Sequence, residues 1–288
     1  MATVIESNDA FTAFWNDVMV PKFERFRDIM MDGLSYHSRV PLGRLSLPPG
    51  ARALDVGCGW GDTAIELARK VGPTGKVVGL DCCDAFLEKG RRDAAAEGLG
   101  HVHFVAADVQ THHFEPEFDF AFSRFGMMFF ANPVAAMRNV RSAMRPGATL
   151  MFITWRVLED NPWLAVPKAV VLRYLPPPGE NAQTCGPGPF SMANPDVVRA
   201  QLAAAGFTDV AFERLDGPVM IGRDVEQALD VQLTLGPAGE IVREAGARAD
   251  ECRDVVTAAL RDELARHAKS DGVWMQSSSW TITARNPG

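Results

Sequence analysis

The chain has 288 residues, of which 47% are hydrophobic and 23% charged, enough for one elaborated domain or two lobes around a substantial core. The formal net charge of −7 and the absence of a basic run disfavour a protein that works mainly by binding a phosphate backbone, because such binding rests on clustered lysine and arginine. No stretch approaches the roughly 18 uninterrupted apolar residues of a membrane span, and the N-terminus lacks the apolar segment of a secretory signal. The five cysteines show no disulfide-framework spacing. We therefore expect free thiols and a reducing compartment, the cytoplasm.

Residues 1–50 are expected to form an N-terminal helical flap. Over residues 8–34, apolar residues recur at spacings of three and four, which predicts one or two amphipathic helices interrupted near Pro21. The simpler interpretation is a helix packed on the core. The alternative is a flap over a bound cofactor, with Trp15 and Tyr36 as its best contacts.

Strands and helices alternate over residues 51–156, which we predict to be the cofactor-binding core. Alternation of this kind predicts a parallel sheet that is covered by helices on both faces, with right-handed crossovers. The predicted strands are Ala53–Val56, Val77–Leu80, Val102–Ala106, Phe118–Phe122 and Ala148–Trp155, and the predicted helices are Thr63–Val71, Ala85–Glu97 and Pro133–Met144.

Residues 157–288 are predicted to complete the sheet and to carry cap insertions at about 157–193 and 224–270. The block after residue 224 is too long for a hairpin loop, so we expect about three helical pieces there, beside the carboxyl ends of the strands. The fold class is therefore α/β: a doubly wound Rossmann-like, mostly parallel seven-stranded sheet with an antiparallel last strand and a helical cap. The elements predicted in this part are helices Asn161–Leu175 and Asn194–Ala205 and strands Thr208–Leu215 and Val273–Ala284.

A glycine loop near the start of this core predicts a crevice for a nucleoside with a charged tail. Gly57, Gly59 and Gly61 precede a helix; glycine permits positive φ and close approach of a ligand, and free N–H groups at a helix start favour an anionic group. Asp81 closes the second strand, where an acid can accept hydrogen bonds from ribose hydroxyls. Capping of the following helix is the alternative role of Asp81.

Acidic residues distinguish this loop from a dinucleotide-binding loop. The pattern is D-x-G-x-G-x-G with aspartate at position 62, instead of G-x-G-x-x-G. Asp55, expected at the mouth of the loop, would repel a pyrophosphate and suit a cationic amino group. Asp108 is placed to accept a hydrogen bond from an adenine amino group, unless it is a plain turn residue. Thr63 and Glu66 predict a capping box at the start of the helix.

These motifs resemble class I S-adenosylmethionine-dependent methyltransferases, and among them the small-molecule enzymes related to ubiquinone/menaquinone C-methyltransferases. The resemblance covers about residues 52–155, with a weaker match in SSSWTITARNP near the end. It implies S-adenosylmethionine as cofactor, S-adenosylhomocysteine as product, and SN2 methyl transfer to a small, largely apolar metabolite. The motifs that carry it are LDVGCGWGDTAIELA, VVGLD, AAD, SRFGMMFF and the RPGA turn.

The resemblance also implies roles for single residues. The loop would surround the methionine part of the cofactor, the acid after the second strand would bind the ribose, and the residues after the third strand would reach the adenine. Arg124 would lie between cofactor and acceptor as a candidate catalytic residue, unless it forms a structural ion pair. The cofactor-binding set, with the flap residue included, is Asp55, Gly57, Gly59, Gly61, Asp81, Cys82, Asp108, Val109, Ser123 and Trp15.

A protein base is needed only if the nucleophile arrives protonated with a high pKa. His112 and His37 are the candidates, although a solvated loop histidine is the simpler interpretation of His112. We predict no metal site, because His101 and His103 lack further ligands at convincing spacing. The adjacent Cys82 and Cys83 suggest arsenic binding, which we set aside because no cysteine trio is apparent.

The acceptor is expected to be a small molecule held in an apolar chamber. SRFG lacks the Asn/Asp-Pro-Pro-aromatic signature of methyltransferases that modify exocyclic amines of nucleic acid, so nucleic acid is not an expected partner. A homodimer is left open. The alternatives are an S-adenosylmethionine-binding protein that performs cyclisation or ligand binding, and an NAD-dependent oxidoreductase. The predicted chamber residues are Phe125, Met127, Met128, Phe129, Phe130, Trp163, Leu172 and Phe190, about half of which could instead be core.

Overall fold

A computed structural model describes residues 8–179, 182 and 185–288. Its strands are β1 (Arg52–Val56), β2 (Lys76–Asp81), β3 (Val102–Ala106), β4 (Phe118–Arg124), β5 (Met144–Trp155), β6 (Thr208–Gly222), β7 (Ala268–Lys269) and β8 (Gly272–Arg285). They form one sheet in the order β3-β2-β1-β4-β5-β8-β6, with the short β7 beside β8.

The helices cover this sheet and also build the N-terminal segment and the cap. They are α1 (Asp9–Phe14), α2 (Val20–Arg25), α3 (Arg27–Arg44), α4 (Asp62–Val71), α5 (Asp84–Ala96), α6 (Pro133–Ala143), α7 (Pro162–Val171), α8 (Pro195–Ala204), α9 (Val225–Thr234), α10 (Gly236–Ala245), α11 (Ala247–Glu251) and α12 (Arg253–Ala265). None of these helices combines the length and the apolar character that a bilayer-crossing segment needs.

The predicted Rossmann-like sheet is confirmed. Strands β1 to β5 pair in parallel, and β8 runs antiparallel between β5 and β6. Four of the five residues of β1 are buried, as expected for a strand that helices cover on both faces. The chain adds β2 and β3 on one side of β1 and then β4 and β5 on the other side. In a parallel sheet, this change of side between β1 and β4 places a ligand crevice at the carboxyl ends of these two strands.

Three predictions about the second half of the chain need correction. Strand β6 continues past the predicted end at Leu215 to Gly222, because it pairs with β8 along that whole length. The sheet has an eighth strand, the two-residue β7, which pairs with the start of β8. The region expected to hold about three helical pieces contains four helices, α9 to α12.

The N-terminal segment is helical almost throughout residues 9–44. The predicted interruption near Pro21 is present: a π-helical turn, Trp15–Met19, separates α1 from α2. Helix α2 begins at Val20 and has Pro21 in its first turn, where a proline costs no helix hydrogen bond. Apolar side chains of this segment form a cluster with Trp60 and Phe86 from the core and with residues of α9. The segment therefore packs against both the core and the cap.

Candidate active site

A cavity of about 500 Å³ lies at the carboxyl ends of the central strands, a size typical of small-molecule sites. Its lining comes from the glycine loop, from the residues after β2, β3 and β4, from the N-terminal helices and from α7, α9 and α10. The lining thus combines backbone groups and carboxylates of the glycine loop and strand ends with many aromatic and aliphatic side chains. The cap helices add polar and charged side chains, namely Lys168, Gln232, Glu240, Arg243 and Glu244.

The glycine loop has the backbone conformation that its sequence predicts. Gly57, Gly59 and Gly61 have φ values of +64°, +53° and +81°, in the left-handed region that favours glycine. Gly57 and Gly59 line the cavity, and a Cβ at Gly57 would lie 3.0 Å from the Cα of Gly126. Gly61 does not line the cavity. A Cβ added at Gly61 would lie 2.5 Å from a ring atom of Phe104, a residue of β3. Glycine is therefore required there by close packing against β3 as well as by the positive φ.

Asp81 ends β2 and lines the cavity. One carboxylate oxygen accepts a hydrogen bond from the Gly59 N–H at 2.9 Å, and the other accepts from the Cys83 N–H at 3.0 Å. Burial raises the pKa of Asp81, and these N–H donors partly offset that rise. Each oxygen has a further lone pair, so the carboxylate can also accept from ligand hydroxyls.

Asp108 lines the cavity beyond β3, together with Val109. Its Oδ1 accepts from the backbone N–H of Gln110 at 2.9 Å, a turn bond of the kind that aspartate favours. The same oxygen accepts from the side-chain amide of Asn8 at 3.3 Å, while Asn8 Oδ1 accepts from the Ala131 N–H at 3.1 Å. Asn8 is a residue that the sequence interpretation missed, and an isolated asparagine before a helix carries no signal of such a distant partner.

Asp55 does not lie at the mouth of the loop, as expected, but is fully buried and absent from the cavity wall. One of its oxygens accepts from the Thr63 hydroxyl at 2.6 Å. The other oxygen, Oδ1, has no hydrogen-bond partner among the described residues. Burial raises the pKa of Asp55 from its ordinary value to about 7, and the bond from Thr63 opposes the rise.

The predicted capping box is wrong. The N-cap of α4 is Gly61 in a left-handed conformation, and no side chain caps the helix there. Thr63 is committed to Asp55 instead, because the helix start packs directly over β1.

Arg124 lines the cavity and forms a two-bond ion pair with Asp62, at 2.7 and 2.8 Å. It also donates to the Ser38 hydroxyl at 3.1 Å. This geometry matches the structural-ion-pair alternative, and a direct catalytic role for Arg124 stays a prediction. The neighbouring Ser123 is fully buried, is absent from the cavity wall and has a hydroxyl without a partner in the described part of the chain.

The geometry does not support either histidine as a base. His37 is fully buried and does not line the cavity. Its two ring nitrogens are hydrogen-bonded to the hydroxyls of Ser279 and Ser277, at 2.7 Å each, because α3 packs against β8. Burial lowers the pKa of His37 to about 4. His112 lies on the turn after β3, where its ring packs against Phe114, outside the cavity wall.

Of the two aromatic residues predicted as flap contacts, Trp15 lines the cavity and Tyr36 does not. Trp15 lines the cavity, donates from Nε1 to the Cys185 carbonyl at 2.9 Å, and packs edge-on against Phe129. Tyr36 does not line it, and its ring packs on Gly217 of β6, where the absence of a Cβ makes room. The N-terminal segment therefore contacts the loop around Cys185 across the cavity.

The apolar part of the wall contains most of the predicted chamber residues. Phe125 and Trp155 stack at 3.9 Å between ring centroids and form one side of it. Met127 is a fully buried core residue, and Leu172 is 38% exposed on the surface, so neither lines the cavity. The predicted residues that do line it are Phe125, Met128, Phe129, Phe130, Trp163 and Phe190. Wall residues that the sequence interpretation missed include Met19, Phe23, Met30, Leu34, Phe86, Leu164 and Leu235, whose helical spacing is equally typical of core.

Comparison with known proteins identifies the chemistry of this crevice. Residues 53–147, which contain the glycine loop, Asp81 and Asp108, match the family model described as "Methyltransferase domain". The chain is a class I S-adenosylmethionine-dependent methyltransferase. The methyltransferase acts on a small molecule, and its cofactor is S-adenosylmethionine. The cyclisation, ligand-binding and NAD-dependent alternatives are not favoured.

Curated relatives extend the match beyond this domain. The methyltransferase is 28% identical over 210 residues to a ubiquinone/menaquinone biosynthesis C-methyltransferase from Ectopseudomonas mendocina, covering 69% of this chain and 82% of that protein. It is 34% identical over 105 residues to a demethylmenaquinone methyltransferase from Geobacillus kaustophilus, covering 36% of this chain and 45% of that protein.

Solved structures support the fold. A putative methyltransferase from Bacillus halodurans superposes with a TM-score of 0.57 at 16% identity, covering 86% of this chain and 98% of that chain. A phosphoethanolamine N-methyltransferase from Haemonchus contortus, solved with S-adenosyl-L-methionine, also gives a TM-score of 0.57 at 16% identity, covering 96% of this chain and 60% of that chain.

Proposed function

We propose that the methyltransferase holds its cofactor against the glycine loop and methylates a largely apolar acceptor in the aromatic part of the same cavity. The observation that carries this proposal is the composition of the wall. Asp81, Asp108 and the glycine loop form a polar part of the wall, and the Phe125–Trp155 stack forms an apolar part with aromatic and aliphatic side chains of the N-terminal and cap helices.

The residues of the polar part fit S-adenosylmethionine. Asp81 would accept from the ribose hydroxyls and Asp108 from the adenine amino group, with Cys82 and Val109 beside the adenine. Asp55, buried beneath the loop, would hold the loop and the start of α4 in place through its hydrogen bond from Thr63. An added Cβ at Gly59 would meet no protein atom within 4 Å, so the glycine leaves the cavity side of the loop open for close approach of the ligand.

Alignment and desolvation are proposed as the main contributions of the chain to the reaction. The bound sulfonium supplies a methyl group with an already activated leaving group. The aromatic wall excludes water and positions the acceptor, while the Arg124–Asp62 pair holds the end of β4 against the start of α4. No histidine lines the cavity in the part of the chain that the structure describes.

The acceptor class is proposed as a flat aromatic or prenylated compound. The apolar wall suits such molecules, and the names of two relatives point to isoprenoid quinone precursors. A nucleic acid acceptor is disfavoured by the enclosed apolar wall and by the net charge of −7. The described parts of the N-terminal flap, residues 8–50, and of the cap segments are proposed as walls of the acceptor pocket. Free cysteines support a cytoplasmic location.

Methyl transfer from isotopically labelled S-adenosylmethionine tests this proposal. The panel contains prenylated naphthoquinols, small phenols, polar amines and RNA. We expect label in the apolar aromatic compounds. Label only in RNA or in the polar amines would overturn the proposed acceptor class.

A matched pair of variants locates the acceptor. Leu164→Trp narrows the cavity, and Leu172→Trp places the same side chain on the surface near the end of the same helix. We expect Leu164→Trp to lower kcat/KM for the acceptor at least tenfold while S-adenosylhomocysteine binding is unchanged, and Leu172→Trp to change neither. Equal activity of both variants would place the acceptor elsewhere.

A further inference from the structure

Three consecutive side chains after β2 converge beside the cavity. The Sγ atoms of Cys82 and Cys83 are 3.7 Å apart. These sulfurs and a carboxylate oxygen of Asp81 all lie within 4.8 Å of one another. The sequence alone suggested only two thiols. The structure adds a carboxylate as a third ligand of the same set.

The distance between the two sulfurs is close to the distance between two sulfur ligands along one edge of a tetrahedral coordination sphere. Two sulfurs that each lie about 2.3 Å from a tetrahedral zinc ion are separated by about 3.8 Å. The observed Sγ–Sγ distance matches this edge without a change of backbone. An oxygen of the Asp81 carboxylate lies within 4.8 Å of both sulfurs. Two thiolates with one carboxylate form a set that suits zinc and its thiophilic congeners.

The cluster has an entry path and an open side. Cys83 is buried, whereas Cys82 and Asp81 line the cavity. An ion that entered through the cavity would meet Cys82 first and would keep one coordination position towards the cavity. A site with three protein ligands and one open position is a common arrangement for zinc.

We propose that Asp81, Cys82 and Cys83 form a binding site for a thiophilic divalent cation of the Zn²⁺ and Cd²⁺ class, and that the cation and the cofactor exclude each other. The exclusion rests on the proposed function, because Asp81 cannot ligate a cation and accept from the ribose with the same lone pairs. Such a site would make the enzyme sensitive to thiophilic metals through cofactor binding.

Binding must release protons. The cation forms two metal–sulfur bonds as the two S–H bonds give up their protons to the buffer, with no change of oxidation state. The hydrogen bond with Cys82 and burial together hold the pKa of Cys83 above its ordinary value. The ion therefore has to displace that proton, and the affinity depends on proton release.

Cadmium titration of the cofactor-free, full-length protein under reducing conditions tests the site. We expect one equivalent of Cd²⁺ to produce the ultraviolet absorption band of cadmium thiolate. Cys82→Ser and Cys83→Ser should each weaken Cd²⁺ binding at least tenfold. The control Cys252→Ser, which removes a thiol outside the cavity, should leave the band unchanged.

Competition completes the test. Saturating S-adenosylhomocysteine should raise the apparent Cd²⁺ dissociation constant at least tenfold. Circular dichroism and thermal denaturation of the two serine variants check that they fold. A band that persists in both serine variants would overturn the site, and a band unaffected by S-adenosylhomocysteine would overturn the exclusion. Methyl transfer is not measured, so failure of the proposed acceptor would leave both readouts interpretable.

Discussion

Arg124 at the end of β4 and Asp62 at the start of α4 form a two-bond ion pair on the wall of the cavity, at 2.7 and 2.8 Å. The Arg124 side chain is only 11% exposed. Removal of one partner would leave a buried charge unpaired, which costs several kcal/mol.

Asp62→Ala should lower the free energy of unfolding by about 3 kcal/mol, measured by urea denaturation. Asp84→Ala is the matched control, because Asp84 also lies in the first turn of a helix and pairs with Arg91 at the exposed surface. An exposed pair contributes less than about 1 kcal/mol. An equal decrease in the free energy of unfolding of the two variants would show that the Arg124–Asp62 pair stabilises the fold no more than an exposed ion pair.

Asp81→Asn should weaken S-adenosylhomocysteine binding about 10- to 100-fold, since hydrogen bonds to a charged acceptor contribute roughly 1.5–3 kcal/mol. Asparagine keeps the size of the side chain, and calorimetry measures the affinity. Asp84→Asn, a change just beyond the same strand, should leave it unchanged. Unaltered affinity of Asp81→Asn would refute the ribose assignment.

Asp55 should make the cofactor-free protein less stable as pH rises. Its pKa is 3.8 in model compounds and about 7 in the fold. Between these values the folded state binds a proton that the unfolded state has lost, so the free energy of unfolding falls by up to about 4 kcal/mol from pH 4 to pH 7 and stays level above. Asp55→Asn lacks this dependence. Urea denaturation of both proteins gives their free energies of unfolding at pH 5 and pH 8. The difference, variant minus wild type, should be larger at pH 8 than at pH 5. The same difference at both pH values would contradict a raised pKa for Asp55.

His37 should make the protein less stable as pH falls, the opposite of the effect of Asp55. The pKa of His37 falls from 6.5 to about 4 on folding, so the unfolded state binds the proton first. The stabilisation is complete above pH 6.5 and is lost progressively as pH falls towards 4, by about 3 kcal/mol. In His37→Gln, whose amide can still bond Ser277 and Ser279, the free energy of unfolding should change less between pH 7 and pH 4.5. Parallel pH curves for the two proteins would refute the assignment.

The fold and the polar part of the site were accessible to sequence interpretation, because their signals are local. Alternating apolar runs and helices define the parallel sheet, and Gly57 and Gly59 adopt the positive φ that their spacing suggests. Asp81 and Asp108 follow strand ends, and carboxyl ends of parallel strands meet at one edge. Both residues line the cavity.

The errors concern side chains whose partners are distant in sequence. Asp55 was expected to face the ligand, but it lies beneath α4 and bonds Thr63. His37 was a candidate base, yet its partners Ser277 and Ser279 are supplied by the last strand. Position along the chain does not reveal which side chains a helix buries against a strand 240 residues away.

The sequence by itself determined the class I methyltransferase core, its glycine loop and the acids that end its strands, since backbone conformation and hydrophobic periodicity depend on neighbouring residues. Only the tertiary structure decided which polar groups are free for chemistry. Packing of α3 on β8 removes His37 from the cavity, and the start of α1 brings Asn8 to Asp108. The turn after β2 brings two thiols and a carboxylate together. Burial and hydrogen bonding, which set the charge and availability of each group, arise from contacts between distant segments.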